Sequence, residues 1–187
     1  MLYRKAYKKL LDWKSQEKKK ALCITGARQI GKTTLIRAFG KEHYDHFVEL
    51  NFITDEKAGL IFEGSLDADT IITNLTAYIR QPLTPGKTLI LFDEVQACPN
   101  VRTAIKFLVE DGRFDYIESG SLLGVRYKEI RSYPVGFEEI YRMYPMDFEE
   151  YLLANSVQES TISHLKDCFD KKKPVSNSVH TTLLKLF

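Results

Sequence analysis

Residues 26–33 read GARQIGKT, and this short stretch decides the fold. It fits the pattern G-x-x-x-x-G-K-T, the phosphate-cradling loop of proteins that bind nucleoside triphosphates. Glycine at both ends lets the backbone approach a phosphate closely, and successive N–H groups then turn inward as an anion nest. The sequence therefore predicts a phosphate site made by the loop and the residue after it: Gly26, Ala27, Arg28, Gln29, Ile30, Gly31, Lys32, Thr33 and Thr34.

The segments on either side of this loop favour the same interpretation. The apolar run at residues 21–25 has strand character, and residues 34–40 continue with helical spacing to a glycine. Strand, glycine loop and helix form the context in which the motif binds phosphate, and the helix N-terminus adds to the attraction. Lys32 can then reach the β- and γ-phosphates, and Thr33 offers a hydroxyl to Mg²⁺. A plain glycine turn between two elements is the alternative.

A second motif, TLILFDE, occupies residues 88–94. Its apolar run is typical of a strand buried on both faces, but it ends in two acids. Unpaired carboxylates are costly to bury, whereas open α/β sheets bind ligands at the carboxyl ends of their strands. Asp93 therefore suits a Mg²⁺ ligand, direct or through water, and Glu94 suits a general base or water-positioning residue. A helix start with two surface acids is the alternative.

Further candidates for the same site follow the predicted strand at 114–118. Residues 119–121 read SGS, and either Ser119 or Ser121 could contact the γ-phosphate or the attacking water. A simple turn explains these residues equally well. With Glu94 and Lys32, the two serines complete the predicted catalytic set. Three basic residues between 122 and 133 are candidates for an arginine finger or a phosphate contact, with a solvated segment as the alternative. They are Arg126, Lys128 and Arg131.

The order of the predicted elements indicates an α/β fold. Strands predicted at 21–25, 47–52, 88–94 and 114–118 alternate with helices, and a further strand is predicted at 139–144. This pattern predicts a largely parallel sheet with helices on both faces. We expect the fourth strand to lie between the first and the third, because the two acids and the serine tip both have to reach the loop.

Helices flank this predicted core at both ends. Residues 2–14 have amphipathic spacing, and Asp147 with Glu150 predicts a capping box that starts a helix at 148–154. The predicted division is 1–155 for the core and 156–187 for a helical region. The apolar helical face at the end of the chain leads us to expect the first part of a longer protein. A short helix that docks on the core is the alternative.

Composition restricts the class of protein. Of the 187 residues, 44% are hydrophobic and 28% are charged, which is typical of a globular domain. The net charge of +2 is too small to indicate nucleic-acid binding by itself. The three cysteines are far apart and show no metal-ligand spacing, which fits a reducing compartment. No apolar run approaches the ~18 residues of a membrane span, so we expect a cytoplasmic protein without a membrane partner.

Four segments occur in the order GARQIGKTTLIRAFG, LILFDEVQ, ESGSLL and YRMYPMDFEEYLLA. Together they resemble prokaryotic AAA-type ATPases of the additional-strand P-loop class, which often carry an uncharacterised nuclease-like domain at the C-terminus. The resemblance implies ATP and Mg²⁺ as cofactors and a five-stranded sheet of order 5-1-4-3-2. It also implies that Asp93 is the metal acid and Glu94 the catalytic carboxylate. The tip Ser119–Ser121 would stand at the γ-phosphate sensor.

The chain departs from this family in three respects. Gly136 is followed by Phe137, where the family usually has arginine. The tip of the fourth strand has no asparagine, so a sensing role would rest on serine. The family's helical lid and C-terminal domain have no counterpart in these residues.

These features together predict Mg²⁺-dependent binding and hydrolysis of ATP, used as a conformational switch or motor. The paired acids favour hydrolysis over a kinase, because attack by water needs a base. The alternatives are a nucleotide-binding regulatory module without significant hydrolysis and a nucleic-acid-associated NTPase. Besides the nucleotide, the expected partners are further copies of the chain or a C-terminal domain in a longer protein. Nucleic acid is possible through such a domain but is not indicated by these residues.

Overall fold

The computed structural model describes residues 2–121 and 135–186, which form an α/β fold. Its elements are α1 (Ala6–Lys14), β1 (Ala21–Gly26), α2 (Lys32–His43), β2 (His46–Asn51), a 3₁₀ turn (Glu56–Phe62), α3 (Ala68–Ile79), β3 (Thr88–Asp93), a second 3₁₀ turn (Val95–Ala97), α4 (Pro99–Asp111), β4 (Asp115–Ser121), β5 (Glu138–Arg142), α5 (Phe148–Ala154), α6 (Glu159–Asp170) and α7 (Asn177–Leu184). None of the helices among these residues has the length and apolar character that crossing a membrane requires.

The five strands form one parallel sheet in the order β2-β3-β4-β1-β5. This is the predicted order 5-1-4-3-2 read from the other edge, and it confirms that the fourth strand lies between the first and the third. Every residue of β1 and of β3 is buried, as expected for central strands covered by helices on both faces. The carboxyl ends of β1, β3 and β4 therefore meet at one edge of the sheet, where the predicted site residues stand.

The two faces of the sheet carry separate apolar clusters. On one face Leu22 and Ile24 of β1 pack with Phe39 of α2 and Trp13 of α1. On the other face Phe92 of β3 packs with residues of α3, α4 and the first 3₁₀ turn. The Trp13 indole also donates a hydrogen bond to the Lys20 carbonyl at 2.8 Å, so the link before β1 is fixed to α1. Packing on both faces therefore fixes the sheet edge at which the predicted site residues lie.

Two helices begin at acidic side-chain caps, one of which the sequence predicted. The Asp67 side chain accepts a hydrogen bond from the Thr70 N–H and caps α3. Asp147 and Glu150 form the predicted capping box at the start of α5. The prediction for β4 was incomplete, because the strand does not stop at residue 118. It runs through Ser121, and both serines pair with neighbouring strands instead of forming a turn.

The chain divides into two compact units. Ala6–Pro145 contains the sheet, and the described parts of Met1–Lys5 and Met146–Phe187 form the other unit. In this second unit the Glu150 carboxylate accepts hydrogen bonds from the Lys5 N–H at 2.6 Å and from the Arg4 guanidinium at 3.3 Å. Helix α7 buries none of its described residues. The division predicted at residue 155 stays a prediction.

A cluster of buried polar side chains lies between the sheet and helix α4. It contains Cys23 of β1, Glu118 of β4, Glu138 of β5 and Arg102 of α4. The Arg102 guanidinium is 2.7 Å from Glu138 and 3.6 Å from the Cys23 sulfur. The positive charge in this cluster is therefore provided by an arginine side chain. The Glu118 carboxyl accepts no hydrogen bond from an N–H or hydroxyl donor in the described residues. Burial, followed by the neighbouring Glu138 carboxyl, raises the pKa of Glu118 well above its usual range.

We expect Glu118→Gln to remove a destabilising effect of rising pH. Because the folded-state pKa of Glu118 is raised, the native state keeps a proton that the unfolded state releases above about pH 4.3. The free energy of unfolding of the natural chain therefore falls as pH rises, by up to about 1.4 kcal/mol per pH unit for one proton. Glutamine is neutral at every pH, so the variant should lack this fall. Urea denaturation at several pH values between 4 and 8, with about one unit between points, measures the difference.

Glu110→Gln is the matched control for this experiment, because Glu110 is exposed on α4. Its pH dependence should follow that of the natural chain. Parallel pH dependences for Glu118→Gln and the natural chain would show that the Glu118 proton has no influence on stability.

Candidate functional site

The loop between β1 and α2 has the backbone that an anion nest requires. Gly31 has φ 91° and ψ 20°, and Gln29 has φ 61°, so two loop residues are in the left-handed region. A Cβ atom on Gly26 would lie 2.4 Å from the Met143 carbonyl oxygen and 2.8 Å from the Ile30 side chain. Glycine is therefore required at Gly31 by its conformation and at Gly26 by the close approach of the chain after β5.

Lys32 is the first residue of α2 and is only 7% exposed. Its ammonium donates to the Ala27 carbonyl at 2.7 Å and to the Gly26 carbonyl at 3.2 Å. No carboxylate lies within ion-pair distance of it among the described residues. Burial lowers the pKa of Lys32, and the more distant charges of Glu94 and Asp93 oppose that effect. A buried cation held only by carbonyl dipoles is a favourable place for an anion.

Asp93 is 2% exposed and lies at the end of β3. The Thr33 hydroxyl donates to its two carboxylate oxygens at 3.1 and 3.2 Å, and the Ser119 hydroxyl donates to one of them. The side-chain amide of Asn51 donates at 2.9 Å. All three donors are neutral, so the buried negative charge has no directly bonded cation in the described structure. The Thr33 hydroxyl and Asp93 carboxylate are the hard oxygen ligands that Mg²⁺ takes, so they fit this ion.

Glu94 stands at the turn that follows β3. Its backbone is left-handed, with φ 58° and ψ 46°, and its carboxylate accepts a hydrogen bond from the side-chain amide of Gln96. A non-glycine residue in this region costs on the order of 1–2 kcal/mol. Such strain is concentrated at functional sites, because the surrounding structure has to hold the residue there. The turn directs the chain away from β3 immediately after the two acids.

Asn51 was missed in the sequence, although it contacts the same carboxylate as Thr33. It ends β2 and pairs with Asp93 in the register of the two strands. Its side-chain oxygen accepts the backbone N–H groups of Ile53 and Thr54, both at 3.0 Å, which orients its amide donor towards Asp93. The predicted strand order already placed β2 beside β3. A polar residue at the end of β2 was therefore the signal that could have identified it.

The remaining predicted site residues surround these groups. Ser121 is 5% exposed and pairs in register with Gly26, at the start of the loop. Arg28 is exposed, and its charge contributes to the lowered pKa of Lys32. Thr34 is exposed on the first turn of α2. The structure thus brings the loop, the two acids and the serine tip to one edge of the sheet. Their predicted roles stay predictions, and Arg126, Lys128 and Arg131 lie outside the described residues.

Comparison with known proteins gives one family match. Residues 18–152 match the family model described as an AAA domain, and this range covers more than two thirds of the chain. It contains the loop, both acids and the serine tip. A search of curated proteins found no match.

Proposed function

The chain belongs to the AAA domain family, whose members generally hydrolyse nucleoside triphosphates, and we propose that residues 26–34 with Asp93 and Glu94 form its Mg²⁺-dependent ATPase site. Family membership supports nucleotide binding and ATPase activity in general. The assignment of ATP, of Mg²⁺ and of individual residue roles is our proposal.

The observation that carries this proposal is the buried ammonium of Lys32. The residue is 7% exposed, and its ammonium donates hydrogen bonds to two carbonyl oxygens of its own loop. A cation is costly to bury without a counter-charge, and the β- and γ-phosphates of a nucleotide would supply one. The left-handed backbone of Gln29 and Gly31 is the kind that turns N–H groups inward as an anion nest, which supports a phosphate beside this ammonium.

The residues around Asp93 support a division of roles. Thr33 and Asp93 would hold Mg²⁺, which when bound neutralises charge on the phosphates. Asn51 and Ser119 would keep the Asp93 carboxylate oriented, since both donate hydrogen bonds to it. Ser121, beside the start of the loop, stays the candidate for contact with the γ-phosphate.

Glu94 would orient the attacking water and accept its proton. Its carboxylate is on the residue after the metal acid, where a strained left-handed backbone follows the end of β3. Asp93 is unsuitable for this role, because its oxygens already accept hydrogen bonds from Thr33, Ser119 and Asn51. The proposed use of hydrolysis is a conformational switch or motor, in contact with further copies of the chain or with another domain.

Calorimetry with ATP, ADP and GTP, with and without Mg²⁺, tests the binding part of the proposal. A phosphate-release assay on the same samples tests hydrolysis. We expect ATP to bind with Mg²⁺ and free phosphate to appear. Binding without phosphate release would instead support a regulatory nucleotide-binding module. Phosphate transfer to an acceptor without free phosphate would support a kinase, and absence of any nucleotide binding would contradict both.

A further inference from the structure

Gln96 connects the candidate catalytic carboxylate to the tip of β4. It lies in the 3₁₀ turn that follows Glu94, and its side-chain N–H donates to the Glu94 carboxylate. The left-handed backbone of Glu94 leads into this 3₁₀ turn, and the two side chains are in contact although they are only two positions apart. The amide orientation follows from this bond, because the opposite orientation would place two acceptor oxygens together.

The other end of the Gln96 amide lies against Gly120. A Cβ atom built on Gly120 would be 2.8 Å from the Gln96 side-chain oxygen. Gly120 is in strand β4 and has no left-handed backbone conformation, so conformational freedom does not explain a glycine there. The available space explains this glycine, because the Gln96 amide occupies the position that a side chain at residue 120 would need.

The Gln96 side-chain oxygen is buried and accepts no hydrogen bond from the described residues. An unsatisfied buried acceptor weakens the fold, so stability gives no reason for glutamine at this position. The amide donor on the same side chain is bonded to Glu94. The buried Gln96 side chain therefore lowers the stability of the fold, while its amide fixes the position of the Glu94 carboxylate.

We propose that Gln96 is a positioning residue that holds the Glu94 carboxylate beside the Ser119–Ser121 tip. Gly120 has no side chain and so leaves the space that the Gln96 amide occupies. This inference rests on the proposed role of Glu94 in hydrolysis. A glutamate side chain has several rotatable bonds, and a general base acts only when its oxygen is correctly placed relative to the water. Gln96 removes that freedom without contacting the substrate itself.

The first test is Gln96→Ala. We expect the turnover number for ATP to fall by about 10- to 100-fold, because the base loses its fixed position. The dissociation constant for ATP with Mg²⁺ should remain within about twofold, since the hydrogen bond of Gln96 goes to Glu94 and not to the phosphate loop. Gln16→Ala is the matched control. Gln16 is exposed and lies far along the chain, where its amide is 3.5 Å from Glu139. This control should keep full turnover.

Gly120→Ala gives a second test that leaves Gln96 itself intact. Its methyl group should displace the amide and reproduce the loss of turnover. In the Gln96→Ala background the same methyl group makes only an ordinary contact with Val95 at about 3.5 Å, so the double variant should be no slower than Gln96→Ala alone. Additive losses from the two substitutions, or a turnover number for Gln96→Ala equal to or above that of the natural chain, would overturn the proposal.

A readout without turnover separates this proposal from the proposed function. The side-chain amide of Gln96 gives an NMR signal, and Glu94→Ala should shift it and speed its exchange with water. If the natural chain releases no phosphate, the ATPase proposal fails. The NMR comparison then still decides the pairing, and a Gln96 signal unaffected by Glu94→Ala would overturn it.

Discussion

Lys32→Ala is expected to lose ATP binding by about 100-fold or more. In the proposed complex the ammonium donates charge-assisted hydrogen bonds to the β- and γ-phosphates, and such bonds contribute on the order of 1.5–3 kcal/mol each. Loss of about 3 kcal/mol corresponds to about a 100-fold weaker dissociation constant. Calorimetric titration of the variant with ATP and Mg²⁺ measures this change.

The same substitution should leave the nucleotide-free fold intact. Burial lowers the pKa of Lys32, which means that the folded chain disfavours its charged form, so removing the charge relieves a cost. We therefore expect the thermal unfolding midpoint without nucleotide to change little. Lys41→Ala is the matched control, because Lys41 is exposed in the last turn of the same helix. Equal ATP affinity for Lys32→Ala and Lys41→Ala would contradict the proposed phosphate site.

The sequence was sufficient for those features that depend on local pattern. The loop at residues 26–33, the buried strand before Asp93 and the capping box at Asp147 each combine residue types at fixed spacing, and the structure confirms the elements they predicted. The position of the fourth strand between the first and the third followed from one functional requirement, that the acids and the serine tip reach the loop, whereas the full order came from the family resemblance. That argument held because the carboxyl ends of parallel strands share one edge of the sheet.

The features that escaped prediction depend on contacts between distant parts of the chain. Asn51 reaches Asp93 from the neighbouring strand β2, and its amide orientation comes from a local turn after that strand. Glu118 reads as a polar position beside the serine tip, yet it is fully buried because Arg102 and Glu138 arrive from two other elements. Residue spacing carries no information about such a cluster.

The serine tip shows how the same residues can be assigned the wrong local structure. SGS is a common turn composition, and a simple turn was the alternative for these residues, which follow the predicted strand at 114–118. In the structure Ser119 pairs with Asp93 and Ser121 pairs with Gly26, so hydrogen bonds to two neighbouring strands extend β4. Tertiary pairing here outweighs local turn preference, as it often does for short segments.

Glu94→Gln is expected to retain ATP binding and to lose turnover by about 10²- to 10⁴-fold, the usual contribution of a general base. Glutamine has nearly the same shape as glutamate, but its amide cannot accept the proton of the attacking water. Its carbonyl oxygen can still accept the hydrogen bond from Gln96 that the carboxylate accepts now. The position of the side chain is therefore retained while its basicity is lost.

Separate measurements of binding and of phosphate release distinguish this effect from damage to the site. We expect calorimetry to give a dissociation constant for ATP with Mg²⁺ within a few-fold of that of the natural chain, because Lys32, Thr33 and Asp93 are unchanged. Phosphate release should fall, and Glu110→Gln, on the exposed face of α4, should leave it unchanged. Equal turnover for Glu94→Gln and the natural chain would remove Glu94 from the mechanism. Asp93 would not replace it as the base, because its oxygens already accept hydrogen bonds from Thr33, Asn51 and Ser119.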